Sequence, residues 1–335
     1  MSEKYVGLDV SKEQIVGVWK EKNGDKISEE TFSTDKKGME RLAEKLNGCE
    51  AAVEASTSGI FVYEYLSSRN LKVEMSNPHK MRLIAESEKK TDRTDAEVLA
   101  DLLRTGMLPT CYVPPKEIRE LRDIVRHRKV LVETVTVLKN KIRAILRREG
   151  VKCPFRDVLG KDAMKWLSEV EVSPIQKDAI LKLLVTADLI EKDVIGDYGR
   201  RIYAAFQFNE QAKILDTIPG ISYLSAITIL AEIGDIKRFP SDEELASYAG
   251  LAPRIYQSGE VRRDKGLKHG DKILKSILIQ DAHTTIKCSK RFRKYYLKKK
   301  RKRGHQKAIV AVARKMVEVI YHMLTRGETY QENYT

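Results

Sequence analysis

Two aspartates three residues apart, Asp92 and Asp95, stand in the stretch KTDRTDAEVLADLLRTG at residues 90–106. A loop enters a helix there, so both carboxylates project from one face with Cβ atoms roughly 5–6 Å apart. That spacing suits a shared divalent cation. An isolated DxxD also reads as an N-cap followed by a first-turn acid, so partners must come from elsewhere in the chain. Two are at hand. Asp9 lies at the end of the apolar run KYVGLDVS, and Glu54 is the last acid of CEAAVEA. Alone, Asp9 reads as a turn acid before Ser11 and Glu54 as a capping residue near Ser56. Ligands of open α/β sheets gather at strand ends, so the four acids can converge. Carboxylates at one point repel unless cations neutralise them. Asp9, Glu54, Asp92 and Asp95 are therefore expected to hold Mg2+ or Mn2+ through hard oxygen ligands and to act on a phosphodiester.

The elements that must position these acids follow from periodicity. KYVGLDVS, IVGVWKE and ISEETFST read as a three-stranded meander, followed by a helix over 36–46, the strand CEAAVEA, a helix in GIFVYEYLSSRN and the strand LKVEMSN. Pro78 opens a further helix, and the Asp92/Asp95 helix closes an α/β domain over residues 1–110. Residues 111–208 form a helical region. Writing Ile118 as heptad position a puts apolar residues at seven of ten a and d positions up to Glu149. Ile124, Leu131, Leu138 and Ile145 widen the stripe. This long amphipathic helix can pair with a helical segment around Ile175 and Tyr203 in the same chain or with another subunit, and a stripe wider than a strict seam suits both. Its cations, from Arg126 and Arg128 to Arg147 and Arg148, are either a solvated face or phosphate contacts.

Residues 209–335 begin with ILDTIPGISYLSAITILAEIGDIKRF, whose PGI turn between two helices suggests a helix-hairpin-helix element able to offer backbone N–H groups to a phosphate. Ser222 stands where such elements prefer glycine. Farther on, a glycine-punctuated loop is expected to carry Ser258 between two helices, with Gly259 allowing a bulky phosphodiester close approach. Arg254, Arg262, Arg263, Lys265 and Lys268 surround it and are candidate phosphate contacts. Taken cold, a Ser-Gly pair in a loop is a turn far more often than a nucleophile.

Charge points to a polyanionic partner. The chain of 335 residues has a net charge of +14, and residues 287–307 hold twelve Lys or Arg and no acid. Lys298, Lys299, Lys300, Arg301 and Arg303 in that tract are expected to meet nucleic acid, ahead of a membrane. Tyr295 and Tyr296 can stack on bases or pack beneath the charged surface. A helical stripe from Ala308 to Met323 should fold back on the domain. No apolar run approaches the roughly 20 residues of a membrane span, and MSEKYVGLDV lacks a signal-peptide pattern. The four cysteines are scattered without a CxxC pair, so neither a disulfide framework nor a zinc site is indicated. A reducing, cytoplasmic location is expected.

The GLDVS strand at the start, the VEAS strand end and the KTDRTDA segment resemble the RNase H-like, RuvC-like domain of DEDD-class insertion-sequence transposases, relatives of Piv-type DNA invertases. On that resemblance the four acids align with the family's acidic positions, and Ser258 aligns with the serine of the GLxPxxxxSG segment, here GLAPRIYQSG. The resemblance implies that Ser258 attacks DNA to form a covalent phosphoserine, with Asp9, Glu54, Asp92, Asp95 and Ser258 as the catalytic set. It implies a prokaryotic protein, associated with the nucleoid when bound to DNA. It further implies a structured guide (bridge) RNA encoded by the element, pairing with donor and target double-stranded DNA. The segment LKHGDKILK carries Lys275 where the family usually has arginine. The expected fold is α/β plus all-α: an RNase H-like N-terminal domain, a central coiled-coil region and a mostly helical C-terminal domain. A recombinase acting on two duplexes is expected to be a dimer or tetramer. Two alternatives are a metal-dependent junction-resolving endonuclease using water and a basic nucleic-acid-binding protein with structural carboxylates.

Overall fold

The computed structural model describes residues 4–78, 80–81, 91–258, 261–267 and 270–332, with backbone alone for 253–258 and 261–267. The chain divides into two compact units, Met1–Val113 and Pro114–Thr335. The boundary near residue 208 expected from sequence falls inside the second unit, because one hydrophobic core joins Val125 and Ile202 to residues as distant as Leu324.

In the first unit β1 (Lys4–Val10), β2 (Gln14–Glu21) and β3 (Lys26–Ser33) form the expected antiparallel meander. After α1 (Lys36–Lys45), β4 (Cys49–Glu54) joins β1 in parallel. After α2 (Thr57–Ser67), β5 (Lys72–Ser76) joins β4 in parallel. The five strands order as β3-β2-β1-β4-β5. This mixed sheet is compatible with a RuvC-like domain. Asp35 and Ser56 cap the two helices by accepting the Gly38 and Gly59 backbone N–H groups, satisfying donors that a helix start leaves open. The helix predicted at Pro78 lies mostly outside the described residues.

Both faces of the sheet are covered. Val6, Leu8, Val53 and Trp19 pack with Leu42, Val62 and Leu66 from α1 and α2. Val16 and Val18 point the other way and meet Ala96 of α3 (Asp92–Arg104). The near-continuous apolar character of β1 and β2 follows from this double burial. Gly7 is what lets α3 lie directly on β1: a Cβ there would stand 1.8 Å from the Ala96 carbonyl oxygen. Any side chain at position 7 must push the helix away.

The second unit is mostly helical. The long helix predicted over 114–151 is α4 (Lys116–Arg148), followed by α5 (Lys161–Glu169) and α6 (Pro174–Leu189). A π-helical turn, Ile190–Ile195, links α6 to α7 (Gly196–Gln207). The far end of α4 packs inside the chain, with Ile142, Ile145 and Leu146 against Leu167, Ile180 and Leu184. Next come α8 (Glu210–Asp216) and α9 (Tyr223–Ile233), the latter buried from Ser225 to its end and central to the core. Gly220, in the turn between α8 and α9, has φ 99°, and a Cβ on it would lie 2.6 Å from the Thr285 backbone nitrogen. The fit of this turn therefore needs glycine twice over. After α10 (Asp242–Tyr248) the chain forms β6 (Pro253–Ser258) and β7 (Val261–Leu267), then α11 (Lys272–Cys288) and α12 (Lys290–Arg326). Among the described residues no helix is long and apolar enough to cross a membrane.

Candidate active site and nucleic-acid interface

Strand register decides where the acids stand. Gly7 pairs with Ala52 and Leu8 with Val53 in the parallel β1–β4 ladder, so Asp9 and Glu54 come next on adjacent strand ends. Side chains alternate along a strand. With Leu8 and Val53 on the α1–α2 side, Asp9 and Glu54 belong to the opposite face, where Gly7 meets α3. The helix runs antiparallel to β1. Its first turn is marked by the Gln14 Nε2 hydrogen bond to Asp92 Oδ2 at 3.4 Å, and Gln14 opens β2 beside the end of β1. Its later turns are fixed by Lys20, near the other end of β2, whose Nζ lies 2.9 Å from Glu97 and 2.7 Å from Asp101. Burial pulls the Lys20 ammonium down, but its two carboxylate hydrogen bonds outweigh that and hold its pKa above the ordinary lysine value. Asp92 and Asp95 thus sit in the helix turn nearest the strand ends that carry Asp9 and Glu54.

Four acids distant in sequence therefore share one end and one face of the sheet. Asp92 is exposed, while Asp9, Glu54 and Asp95 are half-buried. Thr91, not Asp92, caps the helix, its hydroxyl accepting the Thr94 N–H at 3.2 Å. The cap function is filled by another residue, which leaves the Asp92 carboxylate to project. The carboxylates do not close into a ligand cage. Among the described residues no group of three or more His, Cys, Asp or Glu is gathered tightly enough to hold a metal ion. The donor set, carboxylate oxygen throughout, is of the kind that fits Mg2+ or Mn2+.

Ser258 lies in the second unit, and its surroundings correct one expectation. The segment predicted as a loop is a two-stranded antiparallel hairpin, with Ser258 paired to Val261 at its tip. Ile255, Tyr256 and Val261 are β-branched or aromatic, the residue types that favour strands, a signal that glycine punctuation masked. Gly259 and Lys268, and the side chains of Ser258, Arg254, Arg262, Arg263 and Lys265, lie outside the described residues. The root of the hairpin is well defined. A Cβ on Gly270 would be 2.3 Å from the Gly250 nitrogen, the Asp271 N–H donates to the Tyr248 carbonyl at 2.8 Å, and the Asp271 carboxylate caps α11 through the Ile273 and Leu274 N–H groups.

A buried ion-pair network, not legible from sequence, supports that root. Glu232 has a side chain fully withdrawn from solvent. Arg126 grips it through Nε at 2.9 Å and Nη2 at 2.7 Å. Arg122 donates to the Ala231 and Glu232 carbonyls, and Arg126 Nη2 also lies 3.8 Å from Asp271. Burial raises the Glu232 pKa against the opposing pull of Arg126. Of the cations on α4, Arg122 and Arg126 are therefore occupied inside the protein. So is Lys139, which is paired with Asp157 and Glu191.

The basic tract occupies the first half of α12. Lys298, Lys300, Arg301 and Arg303 are exposed and Lys299 is half-buried with its ammonium 5.2 Å from the Tyr295 ring. Tyr296 is buried and hydrogen-bonded to His305 at 2.7 Å, so it is a core residue and not a surface on which a base stacks. Gly304, with φ 78° and ψ 173°, breaks the helix between this tract and the half that packs into the core from Ala308 onward. Ser222, in the PGI segment, caps α9 by accepting the Ser225 N–H at 3.3 Å.

Comparison with known proteins finds insertion-sequence transposases. The family model DEDD_Tnp_IS110, described as a transposase, matches residues 6–149, and the model of the Transposase IS116/IS110/IS902 family matches residues 212–297. The transposase for insertion sequence element IS1111A of Coxiella burnetii is 28% identical over 298 residues, covering 85% of this chain and 79% of that one. The insertion element IS110 uncharacterized 43.6 kDa protein of Streptomyces coelicolor is 25% identical over 389 residues, covering 98% and 95%. The pilin gene-inverting protein of Moraxella bovis is 33% identical over 132 residues, 38% of this chain and 40% of that one.

Proposed function

Proceeding from a chain that belongs to the IS110 family of insertion-sequence transposases, we propose that it cuts and rejoins DNA through a covalent phosphoserine on Ser258. The observation that carries this reading is the placement of Asp9, Glu54 and the first turn of α3 at one end of one face of the sheet. Asp9, Glu54, Asp92 and Asp95 would hold Mg2+ or Mn2+, which when bound stabilises charge on phosphodiester oxygens.

The Ser258 hydroxyl attacks the phosphorus of the scissile phosphodiester. A serine O–P bond forms, the P–O bond to one deoxyribose breaks, and that sugar leaves as a hydroxyl after gaining a proton. Attack of a sugar hydroxyl on the phosphoserine reverses the balance and releases the serine. The phosphodiester count is unchanged, so no nucleotide hydrolysis is required. A hydroxyl of ordinary pKa is a weak nucleophile near neutrality, which is why a serine segment and a carboxylate nest belong in one chain.

The exposed cations of α12, with Arg254, Arg262, Arg263, Lys265 and Lys268 of the hairpin segment, would meet the phosphates of donor and target DNA. A structured guide RNA from the element's own locus would select the sites, as family resemblance implies. A homo-oligomer is supported by apolar side chains left in solvent along two helices, Val130 and Val137 on α4 and Val185 and Leu189 on α6. A second copy packed on them would remove these side chains from water.

The test is to incubate the purified chain with labelled DNA, RNA from its locus and Mg2+. A protease-sensitive protein–DNA adduct mapping to Ser258 is expected. Full strand cleavage by Ser258→Ala would overturn the serine mechanism in favour of a water-using nuclease, and indifference of every DNA product to Mg2+ and to Asp9→Asn would reduce the protein to a binder.

A further inference from the structure

A groove in the second unit, lined by none of the residues of the basic tract, runs between α4, α9 and α11 with a volume of about 340 Å3. Val132, Leu224 and Ile277 give it apolar surface, while Arg128, Ser276, Gln280 and the Lys129–Glu133 pair bring polar groups to it. That volume falls in the range of small-ligand sites. The polar groups are not equal. Lys129, also at the groove, is held by Glu133 at 2.5 Å. Arg126, one turn away, is held by Glu232. Arg128 has no carboxylate partner among the described residues, and its buried Nε meets no acceptor there.

A guanidinium stays charged at any physiological pH. An unsatisfied donor in such a place is unfavourable, and an anionic ligand would satisfy it. The net charge of +14 makes a nucleic acid the anion most attracted to this surface. The Gln280 amide donates one N–H to the Ser276 hydroxyl at 3.4 Å, and its carbonyl oxygen and second N–H remain to pair with the edge of a base. Bases are read in this manner when they leave their stack and enter a protein pocket. The groove also borders the root of the Ser258 hairpin, because Ile273, another of its lining residues, is tied to the capping Asp271.

We propose that this groove receives one unstacked nucleotide of a bound strand, its phosphate meeting Arg128 and its base lying against Leu224 and Ile277. The proposal rests on the reading of the protein as a nucleic-acid-acting enzyme. It does not depend on Ser258 being the nucleophile.

The test uses the full chain and single-stranded oligonucleotides carrying one 2-aminopurine, which changes emission when it is unstacked and enclosed. Binding of wild-type protein is expected to change the emission. Arg128→Gln should weaken binding roughly 5–10-fold and lower the salt dependence by about one counterion. Ser276→Trp and Gln280→Trp fill the groove without altering charge and should abolish the emission change, with thermal melting as the check on folding. Gln280 is exposed, so its variant keeps the test valid if Ser276→Trp does not fold. Wild-type affinity and emission in Arg128→Gln and Gln280→Trp overturn the groove while leaving the function intact. Failure of the wild type to bind any oligonucleotide at low salt overturns both. A tryptophan variant that binds with normal emission but changes oligomeric state makes the groove a protein contact and overturns the proposal.

Discussion

The acids and the serine are supported in opposite ways. Asp9 and Glu54 end neighbouring strands of a five-stranded sheet, and α3 is pressed onto that sheet by the absence of a side chain at Gly7 and the clamp of Lys20 on Glu97 and Asp101. Ser258 ends one strand of a hairpin that, among the described residues, pairs with no further strand. A two-stranded ribbon is marginally stable by itself, so its position depends on its root at Gly250, Gly270 and Asp271. The contrast is between carboxylates placed by the packing of a helix on a sheet and a serine at the tip of a hairpin joined to its unit at the root. The proposed roles suit these supports: metal ligands tolerate little displacement, and a nucleophile has to reach and release DNA.

Four substitutions probe this contrast, taken from the largest effect down. Asp9→Asn should reduce strand cleavage by more than roughly 100-fold, the range that even outer-shell metal partners reach, with DNA affinity changed little. Cleavage rate against binding by mobility shift checks it, and unaltered cleavage would remove Asp9 from the nest.

Breaking the foot of the arm comes next. Glu232→Leu leaves Arg126 and Arg122 without their buried partner and should destabilise the second unit by about 3 kcal/mol, the lower end of the range for broken buried pairs. Urea unfolding should show a transition displaced to lower denaturant, and a first-unit probe near Trp19 should unfold unchanged if the two units are independent.

Gly7→Ala tests the rigid side. The new Cβ meets the Ala96 carbonyl oxygen at 1.8 Å, so α3 must move. A loss of about 1–3 kcal/mol is expected from overpacking, together with loss of cleavage, because Asp92 and Asp95 move with the helix. Normal stability and normal cleavage would show that the seat of α3 is softer than its geometry indicates.

The remaining probe is a pH dependence. Asp281 is buried, accepts a hydrogen bond from the Ser225 hydroxyl at 2.7 Å, and its second oxygen has no partner among the described residues. Burial pushes its carboxyl up to about 7. The folded state therefore holds a proton that the unfolded chain, with an ordinary value near 4, releases. The resulting stability is complete below about pH 4 and is lost as pH rises through about 7. Asp281→Asn should flatten this dependence and raise the melting temperature at pH 8 relative to wild type. A wild-type stability constant between pH 5 and pH 8 would exclude the buried proton.

Much of the first unit was legible in the sequence. Alternation and short apolar runs marked its strands, and the polar entry TDRTD marked the start of α3. The hairpin under Ser258 was not, since glycines on either side suggested an irregular loop and outweighed the strand-favouring Ile255, Tyr256 and Val261. The role of Arg126 was equally hidden. A cation on a long amphipathic helix looks solvated until the fold brings it Glu232, more than a hundred residues away.

The amino-acid order by itself determined which residues end strands and begin helices, because those choices depend on neighbours within a few positions: alternation, capping hydroxyls, and glycine where a backbone must turn or approach. Tertiary structure alone decided that Asp9 and Glu54 face α3 and that Arg126 is an internal partner of Glu232. Which way a side chain points depends on strand register and helix contact, and both are settled between segments far apart in the chain.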